Sequence, residues 1–127
     1  MGKFVCKQTS TGYVFNLKAT NGQIIATSQV YKAEPFCRKG IESVRRNAPI
    51  AALEDQTVAD FEVQKHPKFE VYMDKSGGYR FRLRATNGQI VAVSESYGTL
   101  NNCLNGVESV RKNAPDAPVE ASEVTDV

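Results

Sequence analysis

Ala19-Thr20-Asn21-Gly22-Gln23-Ile24 and Ala85-Thr86-Asn87-Gly88-Gln89-Ile90 are the same six residues, 66 positions apart. Each copy lies between runs in which apolar and polar side chains alternate. Tyr13, Phe15, Leu17 and Ala19 precede the first copy, interleaved with Val14, Asn16, Lys18 and Thr20; Ile24, Ala26 and Ser28 follow. A period of two puts each set on one face of a strand. Asn-Gly between two such runs is the strongest short-range hairpin signal, because Asn tolerates and Gly freely adopts the positive φ of a tight turn. A two-residue type I′ loop sets Thr20 opposite Gln23, Ala19 opposite Ile24, Leu17 opposite Ala26, Phe15 opposite Ser28 and Tyr13 opposite Val30. The apolar partners then meet on one side, so turn chemistry and hydrophobic pattern agree.

Working outward, Phe4–Lys7 reads as a first strand. After Tyr31 the period changes: Cys37, Gly40, Ile41, Val44 and Ala48 form the inner stripe of an amphipathic helix. Pro35 suits its first turn and Pro49 stops it. Gly40, costly inside a helix by about 1 kcal/mol relative to Ala, implies a close approach to the sheet. Ile50–Thr57 reads as a linker and Val58–Val63 as a strand, closing a first unit at residues 1–57 and opening a second at 58–127. Phe69, Val71 and Met73 begin the second copy, and Ser76-Gly77-Gly78 turns it. Tyr79, Phe81, Leu83 and Ala85 repeat the hairpin, and Thr99 is a plausible N-cap. Cys103, Gly106, Val107, Val110 and Ala114 repeat the helix stripe, and Val119–Val124 supplies a strand matching Val58–Val63. The expected core is Phe15, Leu17, Ile24, Ile41, Val44, Phe81, Leu83, Ile90, Val107 and Val110.

Composition bounds the class. The 127 residues are 41% hydrophobic and 24% charged, ordinary for one globular domain. No apolar run reaches the roughly 20 residues of a membrane helix, and Met1–Lys7 lacks a signal peptide's apolar region, so the expected compartment is the cytosol. From Asp116 onward come four acids and no base, which leaves sixteen bases against ten acids before it, a net of +6. Three cysteines without a CxxC point to neither a disulfide framework nor a zinc site.

Motifs for chemistry are sparse. His66, the single histidine, stands in a lysine-flanked turn with no evident partner for general-base work. Cys6, Cys37 and Cys103 read as small buried hydrophobes. Asn21 and Asn87 are accounted for by their turns, Ser28 and Ser94 by buried hydrogen bonding. No catalytic residue, metal ligand or cofactor is implied.

One feature suggests binding. With Tyr79, Phe81, Leu83 and Ala85 under the helices, Arg80, Arg82 and Arg84 project from the other face of the sheet. Tyr72 shares that face, and Lys18 occupies the position matching Arg84. Arginines beside an aromatic on an open sheet suit single-stranded nucleic acid, by charge neutralisation and base stacking. Against this, Val14 and Asn16 replace Arg80 and Arg82 in the first copy. Glu95 is expected opposite Arg80, and Ile25, Val91 and Val93 are expected on the same face, where arginine stems would cover them.

The repeated Phe-x-Leu-x-Ala-x-Asn-Gly-x-Ile, Ser28 with Tyr31 and Ser94 with Tyr97, and the helix signature at Gly40–Arg45 and Gly106–Arg111 resemble the YegP-like family of small bacterial proteins, the UPF0339 group built from the domain DUF1508. The resemblance spans nearly the whole chain in two tandem units. It implies an α+β fold of two β-β-β-α-β units in one mostly antiparallel sheet with two helices on one face. The last strands would be exchanged between units about an internal pseudo-dyad, consistent with a monomer. It brings no established activity or cofactor. The leading expectation is a non-enzymatic module that binds a protein partner, through aliphatics on the sheet or the helix exteriors around Arg45, Arg46, Arg111 and Lys112. Single-stranded nucleic acid on the arginine face is the alternative, and an enzyme with a scattered site the second.

Overall fold

The computed structural model describes residues 2–121. Ten elements follow one another: β1 (Lys3–Thr9), β2 (Gly12–Lys18), β3 (Ile24–Thr27), α1 (Glu34–Asn47), β4 (Ala52–Asp55), β5 (Lys68–Met73), β6 (Tyr79–Arg84), β7 (Ile90–Val93), α2 (Leu100–Asn113) and β8 (Val119–Ala121). The strands form one sheet in the order β4-β5-β6-β7-β3-β2-β1-β8. Its two halves meet where β3 pairs antiparallel with β7 at Thr27↔Val93.

The last strand of each unit is exchanged. β4, at the end of the first unit, pairs parallel with β5 of the second, and β8 pairs parallel with β1 of the first. These are the sheet's only parallel ladders among the described residues; the hairpins are antiparallel. A unit of about 50 residues buries too little surface to be comfortable alone; the exchange makes each unit complete the other.

β4 falls inside the stretch expected to be a linker, while Val58–Val63, expected as a strand, is irregular. The strand is set by its partner rather than by alternation: Ala52–Asp55 matches 118–121 at the repeat spacing, and both quartets face the partner unit's first strand. The expected C-terminal strand begins at Val119 as read, and its part beyond 121 lies outside the described residues.

The Asn-Gly turns differ from expectation by one residue. Ala19 donates its amide to Gln23 O at 2.9 Å and Gly22 to Ala19 O at 2.9 Å, enclosing a three-residue loop in which only the glycine has positive φ, +85°. Gly88 repeats this at +86°. It is a type I turn followed by a left-handed glycine, and the asparagine's part is its Oδ1, which accepts the amide of Gln23, or of Gln89, at 3.0 Å. A bulge after Leu17, and another after Leu83, then restores the expected pairing of Leu17 with Ala26 and of Leu83 with Ala92. The consequence is visible in the core. Ile24 and Ile90 are exposed, and Ile25 and Val91, expected on the open face, are buried instead. The other eight expected core residues are buried.

α1 lies on β1 and β2 and reaches β7; α2 lies on β5 and β6 and reaches β3. Thr99 caps α2 by accepting the Asn102 amide at 3.1 Å. A Cβ on Gly40 would collide with the hydroxyl and ring of Tyr31, and one on Gly106 with those of Tyr97. The helix glycines are therefore where each tyrosine tucks beneath its helix. Ser28 Oγ accepts the Phe15 amide at 2.9 Å and donates to Gln29 O at 2.7 Å, and Ser94 does the same with Phe81 and Glu95.

Candidate functional site

The arginine face is built on one row of residues that crosses the whole sheet: Glu54, Glu70, Arg82, Val93, Thr27, Asn16, Val5 and Glu120 are successive partners from edge to edge. Pleating sends all of these to the side away from the helices. Arg80, Arg82 and Arg84 do project there, but each meets a carboxylate. Arg82 Nε lies 2.5 Å and Arg84 Nε 2.8 Å from Glu70 Oε1, and Arg80 Nε 3.0 Å from Asp74 Oδ2. Glu70 also meets Lys68 at 3.4 Å, and Lys68 reaches Glu54 at 2.8 Å.

This is a partly buried ionic network. Burial by itself would raise the Glu54 pKa, but hydrogen bonds from Lys68, Gln56 and the Gln64 amide outweigh it and bring the group down to about 2. Glu70 is likewise opposed by burial and held below its ordinary value by Arg82 and Arg84. Asp74 is lowered by the Ser76 and Ser96 hydroxyls, with Arg80 and the Gly78 amide assisting. Tyr72 is on the expected face, with the Arg82 guanidinium 4.4 Å from its ring centroid, so one ring face already carries a cation.

Lys18 does not extend the stripe. β2 stands three strands from β6, roughly 14 Å at ordinary strand spacing, and the antiparallel central pair places it at the opposite end of the sheet from Arg84. Glu95 was expected to face Arg80, yet it is Asp74, in the β5–β6 turn, that forms the ion pair. Arg45 and Arg111, expected on the helix exteriors, lie over the rings of Phe4 and Phe69 with their guanidinium carbons 5.6 and 5.0 Å from the centroids. Arg45 donates to Ala117 O, and Arg111 to Ala48 O at 3.5 Å. His66 is exposed beside the Gly88 turn. Among the described residues no three His, Cys, Asp or Glu side chains gather as metal ligands.

A second surface was not legible in advance. β4 is an edge strand. Ala52 and Gln56 donate their amides inward, to Pro67 O at 3.1 Å and Val71 O at 2.8 Å, so in a ladder that alternates sides the amides of Leu53 and Asp55 face outward. Exposed apolar side chains concentrate around this edge. Ile50 is 70% exposed and Val63 71%, and Leu53, Val58 and Phe61 are also exposed. The Gln64 amide donates to Glu54 Oε1 at 2.7 Å, which ties the end of the connecting loop to the far face of β4. Between Asn47 and Gln64 the chain carries Glu54, Asp55, Asp60 and Glu62 and no base.

Two tandem α+β units sharing one sheet and exchanging their last strands define a class of duplicated small domains. A family model described as a domain of unknown function (DUF1508) matches residues 9–55 and again 74–120, and the chain belongs to this family. A UPF0339 protein of Pseudomonas aeruginosa, PA0329, is 40% identical over 116 residues, covering 91% of this chain and 92% of that protein. A UPF0339 protein of Treponema denticola is 62% identical over 52 residues, which is 41% of this chain but 90% of the relative, so the unit also occurs singly. The solution NMR structure of YegP from E. coli, titled a protein of unknown function, superposes with a TM-score of 0.77 at 31% identity, covering 96% of this chain and 93% of that one. No helix among the described residues is long and apolar enough to cross a membrane.

Proposed function

We propose that the chain is a monomeric, non-catalytic protein-interaction module that accepts an extended segment of a partner as an added strand on β4. The observation that carries this is the coincidence of outward backbone groups at Leu53 and Asp55 with exposed Ile50, Leu53, Val58, Phe61 and Val63. Strand addition draws affinity from main-chain hydrogen bonds and specificity from alternate side chains. The local charge selects the occupant: with Glu54 already paired to Lys68, Asp55, Asp60 and Glu62 remain without a base and favour a segment that alternates apolar and basic residues. A monomer is supported by the pseudo-dyad's being satisfied within one chain. An edge of four residues gives a small interface, and affinity in the micromolar-to-millimolar range is expected.

The alternative, single-stranded nucleic acid at Arg80, Arg82, Arg84, Tyr72 and Lys18, is the weaker reading, because a phosphate would compete with Glu70 and Asp74 for guanidinium groups already paired. The test is an NMR titration of the full chain with a six-residue peptide of alternating valine and lysine. Shifts are expected at Leu53, Asp55 and residues 58–63, and are expected to vanish in Leu53→Pro, which removes an outward amide that β5 does not use. Absence of shifts at several millimolar peptide, or shifts centred on Arg80–Arg84, would overturn the proposal. Concentration-dependent self-association through the same edge would overturn it in favour of a second copy as the occupant.

A further inference from the structure

Cys6 and Cys37 bring their sulfurs to 3.5 Å across the contact between β1 and α1, and both are buried. Cys6 pairs with Phe15 on β2, as Val71 pairs with Phe81 on β6. The second unit therefore has valine where the first has Cys6, and Cys103, the counterpart of Cys37, has no sulfur beside it. The fold builds the same layer with and without the thiol pair, so packing alone does not require a cysteine at position 6.

We propose that Cys6 and Cys37 are an oxidisable dithiol that closes to an intramolecular disulfide on exposure to a hydroperoxide or a low-molecular-weight disulfide. A disulfide needs sulfurs about 2.05 Å apart. The pair must therefore close by roughly 1.5 Å, a distance that side-chain rotation and a small helix adjustment share. With a hydroperoxide, one sulfur attacks the outer oxygen. The O–O bond breaks, an alcohol leaves, or water in the case of hydrogen peroxide, and the sulfur becomes a sulfenic acid. The second sulfur then attacks the first and displaces water, so two thiols lose two protons and two electrons in all. With a small disulfide, exchange through a mixed disulfide releases two small thiols.

Burial sets the rate rather than the outcome. It pushes the Cys37 thiol up to about 12, with the contact to Cys6 adding to the effect, so the first attack is slow. Once one sulfur is activated, its partner is already in contact and outruns any competitor from solution. Cys103, which burial pushes up to about 11, has no such partner and serves as an internal control.

The experiment treats the folded full-length chain with hydrogen peroxide or with glutathione disulfide, then unfolds it in an alkylating agent and reads intact mass and peptide map. The expected product has one alkylated thiol, at Cys103, and a Cys6–Cys37 linked peptide. Its Tm is roughly 5 °C or more above that of the reduced chain, since the cross-link closes a loop about 30 residues long. Dithiothreitol reverses the shift. Cys6→Val, which copies the second unit, should fold and form no link; Cys37→Ala provides the same test from the helix side. Cys103→Ala should link at the wild-type rate. Three alkylated thiols after treatment that fully oxidises the unfolded chain would overturn the proposal. So would links shared statistically with Cys103, or sulfinic acid at Cys6 or Cys37 in place of the link.

Discussion

Replacing Glu70 with valine tests whether the arginine face is held together by its carboxylates. Glu70 meets Arg82 at 2.5 Å, Arg84 at 2.8 Å and Lys68 at 3.4 Å. Removing one partner of a buried ion pair typically costs about 3–5 kcal/mol. Here Lys68 keeps Glu54, and the side chains of Arg82 and Arg84, 26% and 27% exposed, can turn toward water, so the lower end applies. The buried valine returns about 1 kcal/mol or more, leaving a net loss of about 2 kcal/mol. The first unit supplies the remedy, because its row reads Val5, Asn16, Thr27, with Asn16 Nδ2 donating to Thr27 Oγ1 at 3.0 Å. The triple variant Glu70→Val/Arg82→Asn/Val93→Thr should therefore return to within about 1 kcal/mol of wild type. Arg82→Asn should cost less in the Glu70→Val background than in wild type, by about 1 kcal/mol or more. Urea unfolding by linear extrapolation gives all four values. A neutral Glu70→Val, or strict additivity of the two substitutions, would refute the reasoning.

Three further outcomes follow from the same contacts. Phe81→Ala, at a fully buried ring in edge contact with Phe69, should cost about 3–5 kcal/mol; a loss under about 1 kcal/mol would refute the face assignment of β6. Gly40→Ala should destabilise despite about 1 kcal/mol of gained helix propensity, because the added methyl meets the Tyr31 ring and hydroxyl and Phe15; overpacking of this kind costs about 1–3 kcal/mol, and a rise in Tm would disprove the contact. Acid should weaken the fold through Glu54, whose folded pKa of about 2 lies below the ordinary carboxylate value: its contribution is complete above about pH 4.5 and is lost as pH falls toward 2, by up to about 3 kcal/mol. Urea midpoints for wild type and Glu54→Gln should converge at low pH, and parallel profiles between pH 5 and pH 3 would refute the assignment.

The elements that the sequence made legible are those set by local pattern. Both hairpins, both helices, the Thr99 cap and the close approach of helix to sheet at Gly40 follow from alternation, the 3.6-residue stripe and residues with one use; that Tyr31 makes the approach came from the structure. The exchanged strand was hidden because Ala52–Asp55 has no alternation of its own, and what makes it a strand is β5, a neighbour from the other unit. Its signal was the repeat spacing, which carries 52–55 onto 118–121. The turn register slipped because Asn-Gly serves both a two-residue loop and a type I turn ending in a left-handed glycine. The three-residue loop goes with a bulge that leaves Ile25 as the extra, unpaired residue of β3 and buries it. Glu70 was within reach: it shares strand parity with Tyr72 and lies opposite Arg82 once Phe69 is set against Leu83.

The duplication itself separates packing from surface. Between sheet and helices most positions keep their residue across the pseudo-dyad and are buried in both units: Phe4 and Phe69, Phe15 and Phe81, Leu17 and Leu83, Cys37 and Cys103, Gly40 and Gly106, with Cys6 against Val71 an exception. On the far face the halves part, with Val5 against Glu70, Val14 against Arg80 and Asn16 against Arg82. The charges of the second unit depend on one another, since Arg82 and Arg84 share the Glu70 carboxylate and Arg80 holds Asp74. That coupling makes the arginine stripe first a structural feature. A surface free to bind must instead hold groups whose partners are missing, and the outward amides and bare aliphatics around β4 meet that condition.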